Sequence, residues 1–198
     1  KELQFIGVPV GGLFAGQVYL GGDGKLWHWD IFNKHIGTGD ANYAHPPKPD
    51  FPFLQQFEIE YSFEGRKIKK SLDSAGFPEV AFCGEYPVST VRFNDPATPV
   101  SATLTAYSPF IPLNSDDSSL PATVMTYALT NGSKKQIEVS ISGHMENAIC
   151  INNRQANGKL NNAVTRHPAR TTLRCTAIKA ETAAVEPRRD VPFEDWHS

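Results

Sequence analysis

"FLQQFEIEYSFEGRKIKKSL", residues 53–72, carries the clearest fold signal in the sequence. Phe57, Ile59 and Tyr61 alternate with polar residues, which is the pattern of a β-strand that buries one face. The following Glu-Gly dipeptide interrupts the alternation, and a short turn between two such arms indicates a β-hairpin. The lysines of the second arm are typical of a solvated edge strand, because edge charges discourage further strand pairing. The stretch therefore predicts an antiparallel pair.

A second hairpin is predicted near the N-terminus. The segments GQVYL (16–20) and KLWHWDIF (25–32) flank a run of Gly and Asp residues, which supply the positive φ angles that tight turns need. Alternation in the second arm puts Trp27 and Trp29 on one face of the strand with Ile31. We therefore expect the two tryptophans to be buried together or exposed together. The opposite face carries Leu26, His28, Asp30 and Phe32.

Alternating segments recur at spacings typical of a β-sandwich. Fifteen Gly and fifteen Pro are spread along the chain, which disfavours long helices. Residues 36–52 are expected to form a long loop, and only residues 181–185 show a short helical pattern. We predict an all-β fold, an antiparallel β-sandwich. Its further strands are STVRFND (89–95), VSATLTAYSPF (100–110), ATVMTYALTN (122–131), KQIEVSISGHM (135–145) and, more weakly, TTLRCTAIKAE (171–181).

Composition and charge narrow the function classes. Hydrophobic residues make up 40% and charged residues 20% of the 198 residues, which is normal for a soluble globular domain. A net charge of −2 supplies no long-range field for nucleic acid, so no nucleic-acid partner is expected. No apolar run is long enough to form a transmembrane segment. Because the chain begins with Lys1, we expect a processed or cut N-terminus, and export or a periplasmic location stays open.

Metal and cofactor sites are not predicted. Cys83, Cys150 and Cys175 lie far apart, so a zinc ribbon is not expected; three buried thiols are favoured over one disulfide and one free thiol. The six histidines show no HxH or HExxH spacing, which argues against a metal site. The N-terminal glycines lead into β-type alternation, which favours tight backbone packing over a dinucleotide-binding loop. The sequence contains no GxSxG motif, so it offers no recognisable serine nucleophile for acyl transfer.

Trp27, His28, Trp29 and Asp30 form a candidate carbohydrate site. Indole rings offer an apolar face to a sugar ring, and an imidazole and a carboxylate can hydrogen-bond its hydroxyls. The alternative is that the two tryptophans belong to the core, as large aromatic side chains on strands commonly do.

Two adjacent carboxylates, Asp116 and Asp117, lie in a Pro-bounded, Ser-rich loop ahead of a strand. A glycosidase acid/base pair must flank one glycosidic bond, whereas adjacent residues of an extended chain point to opposite faces. Asp and Ser also hydrogen-bond to their own backbone in turns. Turn formation is therefore favoured, with calcium binding or hydrogen bonding to a sugar as alternatives.

Two longer segments resemble a known family. GGLFAGQVYLGGDGKLWHWDIFN (11–33) resembles the opening segment of family 116 glycoside hydrolases, the bile-acid β-glucosidase or non-lysosomal glucosylceramidase family, with Trp29 at that family's tryptophan. Residues 82–131 are similar to the same family's second signature, which includes Tyr86-Pro87 and the run SPFIPLNSDDSSLP (108–121). The resemblance covers most of residues 7–147.

The resemblance implies a two-domain retaining β-glycosidase, β-glucosidase or glucosylceramidase-like, that degrades carbohydrate or glycolipid. Its N-terminal domain would be a β-sandwich, and its partner a C-terminal (α/α)6 barrel bearing a Glu nucleophile and an Asp acid/base. Such carboxyl groups lie about 5–5.5 Å apart. They have no matching positions here, so we expect no catalytic residue in this chain and assign residues 1–198 to a single, truncated N-terminal domain.

Three functional classes then compete: a scaffold for the catalytic domain, a carbohydrate-binding module and an assembly domain with an open strand edge. Buried tryptophans favour the scaffold, which is our leading hypothesis, and exposed ones favour the module. A scaffold must present an interface to the catalytic domain. We expect that interface in turn-rich loops with bulky apolar side chains, near Asp116 and Asp117; the candidates are Tyr43, Phe51, Phe53, Tyr86, Phe110 and Ile111.

Overall fold

A computed structural model describes residues 3, 6–12, 16–31, 53–149, 151 and 159–178. The chain divides into two compact units, residues 1–146 and 147–198, which are described separately. The expected loop at 36–52 and short helix at 181–185 lie outside the described residues, and assignment of 1–198 to a single domain stays a prediction. The elements are β1 Gly7–Pro9, β2 Gln17–Gly21, β3 Leu26–Asp30, β4 Gln55–Phe63, β5 Arg66–Ser71, β6 Glu79–Cys83, β7 Val88–Asn94, β8 Val100–Tyr107, α1 Ser115–Ser118, β9 Val124–Asn131, β10 Val139–Met145, β11 Lys159–His167 and β12 Arg170–Ile178.

The first unit contains three antiparallel sheets, with strand orders β1-β2-β3, β10-β4-β5 and β6-β7-β8-β9. The hairpin predicted at 53–72 is the pair β4–β5, and Glu64 and Gly65 form its turn with φ angles of 52° and 75°. Lysine-rich β5 ends its sheet among the described strands, as the sequence predicts. The all-β antiparallel fold is confirmed.

The core lies between the apolar faces of these sheets. In β8 the buried and half-buried positions alternate strictly, because successive side chains of a strand point to opposite faces. Ile59 of β4 and Leu104 of β8 are both completely buried. The rings of Phe57 and Tyr127, from β4 and β9, have centroids 5.1 Å apart. These contacts make the first unit a β-sandwich.

Three strands, β1, β6 and β11, were not predicted as such. Alternation in β6 is short and bounded by turn residues, and β11 contains the dipeptide Asn161-Asn162, which has low β-propensity. In the second unit β11 nevertheless pairs with β12 in a continuous antiparallel register from Lys159↔Ile178 to His167↔Arg170. The partner strand therefore stabilises β11 where its own residues do not favour it.

The prediction of three buried thiols is wrong for Cys83, which is free and exposed. Its Sγ lies 3.5 Å from Oε1 of Glu85, and the hydrogen bond and charge of that carboxylate raise the pKa of the thiol. Cys83 is the last residue of a strand whose half-buried and exposed positions alternate, so the period of the strand places it outward. Cys175 is free and half-buried, and Cys150 lies outside the described residues.

Candidate docking surface

The loop between β8 and β9, residues 108–123, is ordered by hydrogen bonds from a buried serine. Ser118 is 2% exposed, and its Oγ accepts a hydrogen bond from the Ile111 amide at 2.9 Å and donates one to the Ile111 carbonyl at 3.0 Å. The Asn114 amide donates to the same carbonyl at 3.0 Å. Ile111 is thus joined to the helical turn α1 through both of its backbone polar groups.

Asp116 and Asp117 lie in the first turn of α1. The Asn114 side chain caps this turn, since its Oδ1 accepts from the Asp117 amide at 3.1 Å and its Nδ2 donates to Oδ2 of Asp117 at 2.7 Å. The Asp116 carbonyl accepts a hydrogen bond from Ser119 Oγ at 3.1 Å. Both carboxylates are exposed. Capping of a helical turn therefore accounts for Asp117, whereas Asp116 contributes its backbone carbonyl to these contacts.

Four apolar side chains next to this turn face solvent. Phe110 is 39% exposed, Ile111 48%, Leu113 109% and Tyr86 56%. The rings of Tyr86 and Phe110 meet edge-on with centroids 5.6 Å apart, so the patch joins the loop before β7 to the loop after β8. We call these four residues the apolar loop surface. Isolated exposed apolar residues are ordinary, but adjacent ones on an ordered loop are typical of an interface.

The other residues expected in the interface have different outcomes. The prediction that Phe53 lies at the surface is wrong, because its side chain is only 7% exposed and its ring centroid lies 4.6 Å from that of Trp29. Phe53 directly precedes the residues that lead into β4, so it packs with the core strands. Tyr43 and Phe51 lie outside the described residues.

Trp27 is part of the folded interior. It is 3% exposed and packs on Tyr19, its cross-strand neighbour, with ring centroids 5.4 Å apart. A Cβ at Gly21 would lie 2.8 Å from the indole Nε1, and one at Gly7 would lie 3.0 Å from the ring. The glycines of β1 and β2 therefore make room for the indole, as the prediction of tight backbone packing requires.

Trp29 does not share a face with Trp27, so that prediction is wrong. The register pairs Gln17 with Asp30 but Tyr19 with Trp27, which places one extra residue in β3 between the two pairs. Such a β-bulge shifts the alternation of side chains. Trp29 instead packs against the sandwich core, half-buried, and its Nε1 donates to the Leu26 carbonyl at 3.4 Å.

The remaining members of the candidate carbohydrate site, His28 and Asp30, are strand positions of β3, and their side chains lie outside the described residues. A carbohydrate role for residues 27–30 stays a prediction. The burial of Trp27 favours the scaffold over a module that would use both tryptophans.

A buried carboxylate that the sequence analysis missed, Asp73, connects the two hairpins. Its Oδ1 accepts from Ser71 Oγ at 2.7 Å and from the Ala75 amide at 2.8 Å, and its Oδ2 lies 3.1 Å from Lys25 Nζ. Burial opposes ionisation of Asp73, but the hydrogen bonds from Ser71 and Lys25, with the lysine charge, outweigh it and lower the pKa of the carboxyl. The Asp-Ser-Ala-Gly sequence at 73–76 is a turn signature that could have revealed this role.

Other carboxylates in the first unit are paired with cations. Glu58 lies 2.7 Å from Lys69 Nζ and 3.0 Å from His144 Nε2, and these hydrogen bonds lower the pKa of Glu58. Asp95 is hydrogen-bonded to Lys70, which lowers the pKa of that carboxyl. These contacts connect strands or turns. The structure therefore accounts for Glu58 and Asp95 as groups that stabilise the fold.

Within 3, 6–12, 16–31, 53–149, 151 and 159–178, no three His, Cys, Asp or Glu side chains converge as metal ligands. In the same ranges, no helix has the length and apolar character needed to cross a bilayer.

A known protein family matches this chain over the sandwich strands and the apolar loop surface. The family model described as "beta-glucosidase 2, glycosyl-hydrolase family 116 N-term" matches residues 7–191. The match extends past residue 147, where the recognisable sequence motifs end, and so includes the hairpin β11–β12. Together with the antiparallel sheets, this match shows that the chain belongs to the N-terminal domain family of family 116 glycosyl hydrolases.

Proposed function

We propose that this chain is the non-catalytic scaffold domain of a family 116 β-glucosidase and that its apolar loop surface packs on the enzyme's catalytic domain. The observation that carries the proposal is the exposure of Tyr86, Phe110, Ile111 and Leu113 on a loop that the buried Ser118 holds in place. An N-terminal domain of a larger enzyme has a catalytic domain as its first partner.

The carboxylates support a role outside catalysis. Asp73, Asp95 and Glu58 are each joined to a lysine, and the Asp117 carboxylate accepts a hydrogen bond from the capping residue Asn114. A retaining glycosidase instead needs two carboxyl groups facing each other across a substrate cleft. We therefore place hydrolysis of the β-glucoside in the catalytic domain, with glycolipids such as glucosylceramide as one candidate substrate class.

The proposal is tested by the behaviour of the purified 198-residue chain. The apolar loop surface should make it bind to a phenyl resin, and the double substitution Phe110→Ser/Ile111→Ser should remove that binding. Both side chains are 39–48% exposed, so the far-UV circular dichroism spectrum should stay that of a β-protein.

Leu54→Ser provides the matched control, because Leu54 is 60% exposed and lies outside the apolar loop surface. This control should leave resin binding unchanged. The proposal is wrong if the unmodified chain is not retained by the resin, or if the control and the double variant behave alike.

A further inference from the structure

Leu113 has a backbone conformation that a leucine rarely adopts. Its φ angle is +65°, in the left-handed region where glycine and asparagine are common and other residues are disfavoured. Its side chain is also wholly exposed, at 109% of the reference value. Neither feature favours leucine over glycine in the folded chain.

The turn around Leu113 is fixed by groups other than its side chain. The Asn114 amide donates to the Ile111 carbonyl, and Ser118 Oγ holds both backbone groups of Ile111. Pro112, which precedes Leu113, has its own φ angle fixed by its ring. The leucine is thus presented on a preformed turn, so the backbone loses little further entropy when a partner covers the side chain.

We propose that Leu113 is the anchor of the interface with the catalytic domain, where its side chain fills an apolar socket while Asp116 faces a lysine or arginine at the socket's rim. This inference rests on the proposed function and deepens it. Leu113 is continuous with Ile111 and Phe110, since the three side chains line one shallow depression with Asn114 and Ser118.

The negative charge of the turn favours the catalytic domain as its partner over an anionic lipid surface or a second copy of this chain. Asp116 and Asp117 are both exposed next to Leu113, so an anionic lipid surface would repel the turn. In a two-fold dimer the same acidic turn would face its own copy, and like charges brought together at an interface are unfavourable. A protein surface with an apolar socket and a basic rim avoids both penalties.

The first test compares Leu113→Gly in two settings. In the 198-residue chain alone, glycine relieves the left-handed conformation, so the unfolding midpoint should be unchanged or higher. In the full-length enzyme, amide hydrogen exchange in residues 107–121 should become at least about tenfold faster, because burial of a leucine contributes more than a factor of ten to an association constant. Leu54→Gly is the control and should not change exchange in that segment. A purely structural role would lower the midpoint of the chain alone, which would overturn the proposal.

The second test locates the partner directly. A photoreactive leucine analogue at position 113 of the full-length enzyme should cross-link to an apolar peptide of the catalytic domain that lies near a lysine or arginine. Cross-links confined to residues 1–198, to a second copy or to lipid would contradict the anchor role. When the tests of Leu113 fail, hydrogen exchange of the unmodified full-length enzyme distinguishes the two hypotheses. If residues 107–121 are protected from exchange there, only the anchor inference fails. If they are not protected, the proposed function fails as well.

Discussion

Phe93→Ala is expected to lower the free energy of unfolding of the first unit by about 3–5 kcal/mol, a large share of the 5–15 kcal/mol that is typical of a folded domain. Phe93 is 0% exposed in β7, and its ring centroid lies 5.7 Å from the ring centroid of Phe77. It also packs against the turn of the β2–β3 hairpin, because a Cβ at Gly24 would come within 2.5 Å of its ring. Truncation therefore leaves a cavity where a sheet and a hairpin meet.

Urea unfolding followed by circular dichroism measures this effect. Val88→Ala on the same strand is the control, since Val88 is 43% exposed and should change stability by no more than about 0.5 kcal/mol. Equal losses for the two variants would show that Phe93 does not join the sheet to the hairpin.

Gly76→Ala is expected to destabilise the first unit by about 3 kcal/mol or more. A Cβ at this position would lie 2.0 Å from the Ser71 carbonyl oxygen and 2.7 Å from the Ser71 amide nitrogen, and these backbone atoms are fixed at the end of β5. Relieving the collision requires opening the turn in which the Gly76 amide donates to Asp73.

The collision would also separate Asp73 from Lys25, so the variant should lose the contact between the two hairpins. The measurement is the urea midpoint of Gly76→Ala beside that of Gly65→Ala, because a Cβ at Gly65 meets nothing within 4 Å. Gly65 has a φ of +75°, so its variant reports the cost of the backbone conformation alone, about 1 kcal/mol. A Gly76→Ala midpoint at or above that of Gly65→Ala would refute the collision.

Much of the sandwich could be predicted from the sequence because the strands with one buried face keep a period of two. Strand β8 alternates over all eight of its residues, and β4 and β9 alternate over part of their length. A register slip by one residue would expose the whole apolar set. Strands β6 and, in the second unit, β11 have too little apolar alternation of their own to be predicted from the sequence. Their pairing depends on partner strands elsewhere in the chain.

The prediction for the two tryptophans failed for a different reason. Alternation assumes an unbroken ladder, and one extra residue in β3 moved Trp29 to the core face while Trp27 stayed against Tyr19. A bulge is a property of two paired strands, so the spacing of residues in one strand does not reveal it.

The candidate docking surface was partly predictable. The bulk of Phe110 and Ile111 between prolines marked the loop, and the resemblance placed it in the sandwich. The role of Leu113 could not be inferred, because its significance lies in its positive φ angle and its full exposure. Similarly, Phe53 could not be assigned to the core before its contact with Trp29 was known.

Hydrogen exchange of the full-length enzyme, compared with that of the 198-residue chain alone, tests the central claim most directly. Residues 84–88 and 107–121 carry the apolar loop surface, and their amides should exchange markedly more slowly in the full-length enzyme. Strand β5, whose Lys67 and Lys69 face solvent, should exchange at the same rate in both. Equal exchange of the loops in the two proteins, or protection confined to β5, would contradict the account.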